Sequence, residues 1–256
     1  MGAAIGPGIP SFAPIARSAT WLLLFLSRAA LCDSLPPPTS GAQTAARAAA
    51  PPPLPDSFAI RFNESFSGFP APPGGSGAWL YDYPRRLWRA DHNAPQVNNF
   101  CSCADNSTTD SCSLLFVPHG PPGSPYERRG GLFVDFPASP SRCCWLCGPD
   151  EGCTPLTPTW LSAGNYSPAV PDAQGCAQFC VPGDQAAADC LSYPPTGGAV
   201  PCQYSETFAF GPGQIVVHNL TFLRDSFRPG PPPADAFRVR PECAQPCPRL
   251  FPTQCG

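Results

Sequence analysis

The chain has 256 residues, 39 of them proline and 23 glycine, a composition that opposes long helices and favours short strands joined by turns. Its formal net charge is −3 and it contains no lysine, so it offers neither a nucleic-acid footprint nor a polybasic membrane surface. Fourteen of its 15 cysteines lie between Cys101 and Cys255, behind a hydrophobic N-terminal segment, which makes disulfides the default reading and sets aside most metal and redox readings of the same spacings.

Residues 1–32 read as a signal peptide. Arg17 precedes the apolar run Ala19–Leu26, which is too short for the roughly 20 residues that cross a bilayer. Cleavage after Cys32 leaves an even set of 14 cysteines; cleavage after Ala29 would leave Cys32 in the product. Loss of Arg17 and Arg28 with the signal takes the formal charge from −3 to −5. No later run is a membrane helix. Residues 33–55, with Pro36–Pro38 and Pro51–Pro53 around an Ala/Thr/Gly stretch, read as an extended linker that buries nothing. Residues 56–256 form the single folded domain. Four N-x-[ST] sequons, at Asn63, Asn106, Asn165 and Asn219, agree with secretion and mark expected glycosylation sites.

Within the domain, period-two alternation predicts strands. Phe58, Ile60 and Phe62 alternate with polar or small residues. Residues 78–83 and 87–92 flank Pro84-Arg85-Arg86, a hairpin with proline early in its turn. Residues 112–117 and 132–136 are further strands, each closed by a proline. Residues 204–210 and 214–223 flank Gly211-Pro-Gly213 as a second hairpin, and Phe237-Arg-Val239 reads as a final edge strand. Helical signals are confined to a turn or two at 172–179 and at 184–190. The stretch from Cys143 to Pro201 otherwise reads as disulfide-tied loop. Strands paired in sequence order give a mainly β fold with an antiparallel sheet, not βαβ units.

The first hairpin, Trp79-Leu-Tyr-Asp-Tyr-Pro84, is followed by Asp91-His92 and Asn99-Phe100-Cys101. Further along come Cys143-Cys144-Trp-Leu-Cys147, Gly152-Cys153, Pro158-Thr-Trp-Leu161 with Tyr166, Gly175-Cys176 and Pro201-Cys202-Gln-Tyr204. In this order they resemble secreted plant, algal and protist proteins distantly related to the ependymins. The likeness runs from residue 58 to residue 247. Leu80 and Tyr83 stand where that family has Tyr and Trp, and Cys103, Cys180, Cys190 and Cys255 look like additions. The resemblance implies a curved, half-barrel antiparallel sheet over an apolar pocket, as in lipoprotein carriers. It further implies an extracellular, lysosomal or vacuolar location, lipid or another hydrophobic ligand as partner, calcium as the one cofactor, and matrix adhesion. A homodimer stays open.

On such a half-barrel, alternate strand residues line the pocket. The expected lining is Phe58, Ile60 and Phe62 from the first strand, Leu115, Val117 and Phe133 from the middle strands, and Phe208, Phe210, Val216 and Phe222 from the last hairpin. Residues 143–201 are the expected lid.

Other constellations have plainer readings. Cys144-Trp-Leu-Cys147 matches a C-x-x-C redox motif, but Cys143 and Cys153 crowd it and no βαβ unit surrounds it, so structural bridging is expected. Cys143 or Cys144 with Cys147, and Cys243 with Cys247, have zinc-like spacing that an oxidising compartment turns into disulfides. The only histidines are His92, His119 and His218, and no G-x-S-x-G nucleophile motif accompanies them. Asp82 and Asp91 are expected to pair with Arg86 or Arg89 across the hairpin. The acidic loops Asp105–Asp110 and Asp150-Glu151 match no EF-hand. The expected function is therefore a secreted, non-enzymatic binding protein with an apolar pocket, no catalytic residue and no metal-ligating residue in the sequence, calcium entering only by the resemblance. A cavity-free matrix or cell-wall glycoprotein, and a secreted hydrolase or thiol-disulfide enzyme, are the alternatives.

Overall fold

The inward stripe Phe58, Ile60, Phe62 and Glu64, each at most 4% exposed, makes residues Ser57–Gly68 a strand with one covered face, β1. The computed structural model of the protein describes residues 50–68, 74–93, 101, 110–163, 167–169, 171–182, 188–211 and 214–248. The expected signal peptide, the linker up to residue 49, the sequons at Asn106 and Asn165, and Cys32, Cys103 and Cys255 lie outside the described residues.

After β1 come β2 (Gly75–Asp82), β3 (Leu87–Asn93), β4 (Cys112–Val117), β5 (Gly131–Asp135) and β6 (Cys144–Cys147). A one-turn helix, α1 (Trp160–Ala163), separates them from β7 (Ser167–Ala169), β8 (Ala177–Pro182), β9 (Ala188–Tyr193), β10 (Gln203–Gly211) and β11 (Gln214–Pro229). All pair antiparallel in one sheet of order β6-β5-β4-β3-β2-β1-β11-β10-β9-β8-β7. The chain starts at the middle of the sheet, meanders to one edge, crosses to the other, and meanders back until β11 pairs with β1 from Phe58↔Pro229 to Gly68↔Val216.

The sheet is open, and it curls. β2 and β10 are three strand steps apart, about 14 Å on a flat sheet at ~4.8 Å per step. The rings of Trp79 on β2 and Tyr204 on β10 nevertheless meet edge to face, with centroids 5.3 Å apart. His92 on β3 and His218 on β11 are equally separated in the sheet and lie 6.3 Å apart. Side chains on this front face are therefore gathered inward. They form the main core with Phe58, Ile60, Tyr81, Leu191, Tyr193 and Phe222.

The order of strands requires a crossover from β6 at one edge to β7 at the other. The described part of it, residues 148–163, runs over the front face. The Tyr81 hydroxyl donates to the Leu156 carbonyl at 2.6 Å, the Leu54 amide donates to the Pro158 carbonyl at 2.9 Å, and Leu161 of α1 is 3% exposed within the core. Leu54 belongs to the stretch expected to bury nothing. Here it is 3% exposed, so the C-terminal end of that linker is part of the domain.

The C-terminal segment 232–247 covers the back face at β3 to β6, while at the other end of the sheet Ser192, Gln203 and Ser205 are buried on that face, with Ser192 bonded to Asp172. Phe237 and Cys243 of the C-terminal segment pack on Leu115, Val117, Phe133 and Trp145. Arg240 pairs with Asp135, and Arg89 donates to the Ala236 carbonyl at 2.7 Å. Neighbouring residues of a strand point to opposite faces. Cys143 bridges Cys243 in the back-face cluster, while Cys144 bridges Cys247 in the cluster of Leu114, Leu132 and Val134.

The expected hairpins, the 112–117 strand and the 132–136 strand are present with shifts of a few residues. Arg86 takes the left-handed conformation, φ 55°, that ends the 3-10 turn Tyr83–Arg85. Four expectations are corrected. Residues 143–201 carry four strands, β6 to β9, where little regular structure was expected. The expected helix at 172–179 is a turn followed by β8: the Asp172 carboxylate accepts from the Gln174 and Cys176 amides, both at 2.9 Å, a turn-forming use of Asp that resembles a helix cap in sequence. The expected helix at 184–190 overlaps β9 from Ala188 onward. Residues Ala234–Phe237 form a 3-10 turn where an edge strand over 237–239 was expected.

Candidate functional site

Glu64 occupies an inward position of β1, in line with Phe62 and Phe66, and its side chain is 0% exposed. One of its oxygens, Oε1, accepts from His218 Nε2 at 2.7 Å and from His92 Nδ1 at 3.0 Å. His218 Nδ1 donates in turn to Glu206 at 3.1 Å, and the Tyr204 hydroxyl donates to the other Glu206 oxygen at 2.9 Å. A continuous hydrogen-bonded line therefore runs Tyr204, Glu206, His218, Glu64, His92 over strands β10, β11, β1 and β3.

The register explains the assembly. Glu206 faces His218, and His218 faces Phe66, whose ring stacks on the imidazole at 4.5 Å. His92 belongs to β3, two strands from Glu64, and must reach past β2. On β2, Gly77 faces His92 on one side and Phe62 on the other, and Gly75 faces Glu64. With no side chain at Gly77, the His92 ring lies over β2, 5.6 Å from the Phe62 ring, and reaches Glu64. A Cβ at Gly77 would collide with the Asp91 carbonyl and the Phe62 ring.

Burial alone would raise the Glu64 carboxyl, but the bonds from His218 and His92 overcome it and hold the group down to about 2. Burial alone would lower His218; its bonds to Glu206 and Glu64 reverse that and lift it to about 9. Burial, then the charges of Glu206 and Asp189, drive the Tyr204 hydroxyl well above its ordinary range. Asp189, opposite Glu206 on β9, stands at an exposed rim, where the surrounding protein and then the Glu206 charge push it up to about 6.

Tyr204, Glu206, His218 and His92 of this line form one wall of a cavity of about 290 Å³. The other wall is apolar, with Trp79, Trp88, Leu114, Phe116, Leu132 and Leu220. The crossover roofs it with residues 152–156, pinned by the Cys147–Cys153 disulfide and by the Tyr81 bond to Leu156. It opens to solvent beside Gly152, Thr154 and Asp189, all exposed.

Of the ten expected pocket residues, Phe58, Ile60, Phe62 and Phe222 lie in the main core on the front face, and Val216 shares that face by its register with Gly68. They pack the core and none is among the described residues lining the cavity. Leu115, Val117 and Phe133 are corrected outright: they pack on the back face under the C-terminal segment, and their neighbours Leu114, Phe116 and Leu132 line the cavity. Phe208 and Phe210 belong to β10, but their side chains lie outside the described residues. The expected lid over 143–201 narrows to residues 152–156, the part of it that lines the cavity, and four strands of the sheet come from the same stretch. His92 and His218 stand out in the sequence, whereas Glu64 and Glu206 were missed there. Their signal was a carboxylate at an inward position of the stripes Phe62-x-Glu64-x-Phe66 and Tyr204-x-Glu206.

Elsewhere, Asn63 is exposed on the back face, and β1 and β11 pair the two sequons antiparallel, Asn63 opposite Thr221 and Ser65 opposite Asn219. The Asn219 amide oxygen accepts from Gln203 at 2.7 Å and Ser205 at 2.8 Å. Asp91 pairs with Arg89 at 2.6 Å, but along β3 and not across the hairpin as expected, while Asp82 pairs with Arg85 and not with Arg86 or Arg89. Cys144 and Cys147 are not bridged to each other; each belongs to a separate disulfide. Twelve described cysteines form six disulfides. Among the described residues, one group of potential metal donors lies close enough together to hold an ion, Asp172, Cys176 and Cys202, but its two sulfurs are bridged to each other. In the acidic loops, Asp110 pairs with Arg142 and Glu151 accepts from the Gly148 amide at 2.9 Å. No helix of the described residues is long and apolar enough to cross a membrane.

No protein-family model matches the chain, and no curated protein matches it. Among solved structures it is similar to the crystal structure of an uncharacterized conserved protein from Thermus thermophilus, at 9% identity and a TM-score of 0.40, over 75% of this chain and 90% of that one.

Proposed function

We propose that the protein is an extracellular, non-enzymatic binding protein that holds one compact amphiphilic molecule beneath the crossover. The observation that carries this reading is the cavity's division into an aromatic wall and a charged wall under a disulfide-pinned roof. Small-molecule sites typically combine apolar walls with a few fixed polar groups. At about 290 Å³ the cavity stands at the small end of the usual ~300–1,000 Å³. That narrows the expected long-chain lipid to a molecule with a short chain or a single ring system.

The histidines favour binding over catalysis. Both ring nitrogens of His218 are bonded to carboxylates and its lifted pKa keeps it protonated at neutral pH, so it cannot serve as a general base there. Among the described residues that line the cavity the one sulfur, in Cys153, is tied up in a disulfide. Six disulfides agree with an oxidising, extracellular compartment, and the resemblance to ependymin-related proteins points the same way.

The test is a titration of the folded, oxidised protein with compact amphiphiles, followed by quenching of the emission of Trp79 and Trp88. Saturable one-to-one binding that Leu114→Asp removes is expected. Absence of saturable binding across a panel of alkyl and aryl amphiphiles would leave the matrix-protein reading in its place.

A further inference from the structure

Counted with Glu64 behind it, the charged wall of the cavity carries more negative than positive groups. Asp189 and Glu206 stand directly opposite each other on β9 and β10, a like-charge pair that is unfavourable in an antiparallel sheet. Glu64 lies behind them, bonded to both histidines. The lining itself holds two carboxylates and two imidazoles; with Glu64 bonded behind the histidines the count is three to two, and the site stays net negative even with His92 and His218 both protonated. No arginine is among the described lining residues, and the chain has no lysine.

The facing wall suits a cation as well. Trp79 meets Trp88 and Tyr204 edge to face at 5.6 and 5.3 Å, and both indoles border the same space as the carboxylates. Aromatic faces attract organic cations through their ring quadrupole. A second and independent sign of a ligand is Trp79 itself: it lines the cavity, is 1% exposed, and its Nε1 donor has no partner. The Nε1 of Trp88, also in the lining, is likewise buried without a partner. A bare metal ion does not fit this wall, because no three donor atoms of its described residues lie within 4.8 Å of one another. An organic ammonium spans the wider spacing with several N–H donors.

We infer that the cavity selects a protonated organic amine, its ammonium between Glu206 and Asp189 and its aromatic or short alkyl body against Trp79, Trp88 and Phe116. The inference rests on the reading of the cavity as an amphiphile site. It adds the sign of the head group, and a hydrogen-bond acceptor on the body to meet the indole donors. A bound ammonium offsets the like charges of Asp189 and Glu206.

Three probes of one shape test it: 4-phenylbutylammonium, 4-phenylbutanol and 4-phenylbutanoate, titrated calorimetrically into the oxidised protein at pH 7.5. The ammonium is expected to bind about tenfold or more tighter than the alcohol, the size of one well-placed charge contact, and the carboxylate weakest of the three. Asp189→Asn, at an exposed position where folding is not at stake, should weaken the ammonium about fivefold and leave the alcohol within about twofold. Glu206→Gln should do the same more strongly. Equal binding of ammonium and alcohol, or preference for the carboxylate, overturns the amine inference while the amphiphile site stands. Failure of all three probes to bind removes the amphiphile site and the inference together.

Discussion

His218 Nε2 donates to Glu64 Oε1 at 2.7 Å across a separation of 154 residues, joining the last strand of the sheet to the first. Both side chains are at most 2% exposed, so the bond replaces water for two groups that burial would otherwise neutralise. It places a fixed pair of opposite charges at the seam between β1 and β11, where the two arms of the meander meet.

That bond makes stability depend on pH in a defined window. Glu64 ordinarily titrates at 4.5 and is held at about 2, so its contribution is present above 4.5 and is lost as pH falls from there toward 2. His218 ordinarily titrates at 6.5 and is lifted to about 9, so its contribution is complete below 6.5 and is lost as pH rises toward 9. Both act together between 4.5 and 6.5. Urea midpoints measured from pH 3 to 9.5 should peak in that interval, and Glu64→Gln should flatten both limbs. A midpoint still rising above pH 7 would contradict the assignment.

Trp79 is the hub of the aromatic front face, in ring contact with Trp88, Tyr204 and Phe222 and 1% exposed. Trp79→Ala should cost about 3–5 kcal/mol, as expected for removal of a large buried aromatic. Denaturant unfolding measures this, and a loss below about 1 kcal/mol would mean that the front face is not packed as described.

The paired disulfides of β6 give a prediction about non-additivity. Cys143–Cys243 and Cys144–Cys247 span separations of 100 and 103 residues, nearly the same loop. With one bridge closed, the other closes a ring of only about six residues. In the chain-entropy view, losing either bridge costs about 2 kcal/mol, and losing the second about 5 more. Paired Cys→Ala variants, singly and combined, should show that asymmetry in their unfolding free energies. Equal first and second losses would point to strain or packing as the main contribution.

Which parts were legible in sequence follows from which residues report on one face only. β1 alternates cleanly, and the β2–β3 hairpin carries Pro84 in its turn, so alternation and turn chemistry locate both. β4 is different: Cys112, Ser113, Leu114 and Leu115 are all buried, because the crossover side covers one face and the C-terminal segment the other. A strand covered on both faces has no polar stripe to set its parity, and so Leu115 and Leu114 exchange roles between expectation and structure. β7 to β9 are three to six residues long and bounded by proline, glycine and cysteine, too short for a periodic signal. The carboxylate line was half legible. The histidines stand out by rarity, whereas Glu64 shows only as a polar residue in an apolar stripe, and its partners are set by a register that the sequence does not display.

The fourth prediction concerns that register. His92 reaches Glu64 across β2, which presents no side chain at Gly77, opposite His92 and Phe62, or at Gly75, opposite Glu64. Any Cβ there meets the Asp91 carbonyl and the Phe62 ring, one of them backbone that cannot rotate away. Gly77→Ala should therefore push β3 or the Phe62 ring aside and break the His92–Glu64 bond, while the His218–Glu64 bond on the β11 side stays in place. The expected result is a loss of about 1–3 kcal/mol from overpacking. In imidazole NMR titrations, the His92 resonance should shift on substitution and the His218 midpoint should remain near 9. A His218 midpoint that collapses with Gly77→Ala would show that the two histidines depend on each other through Glu64. An unshifted His92 resonance would show that the glycine gap does not carry the contact.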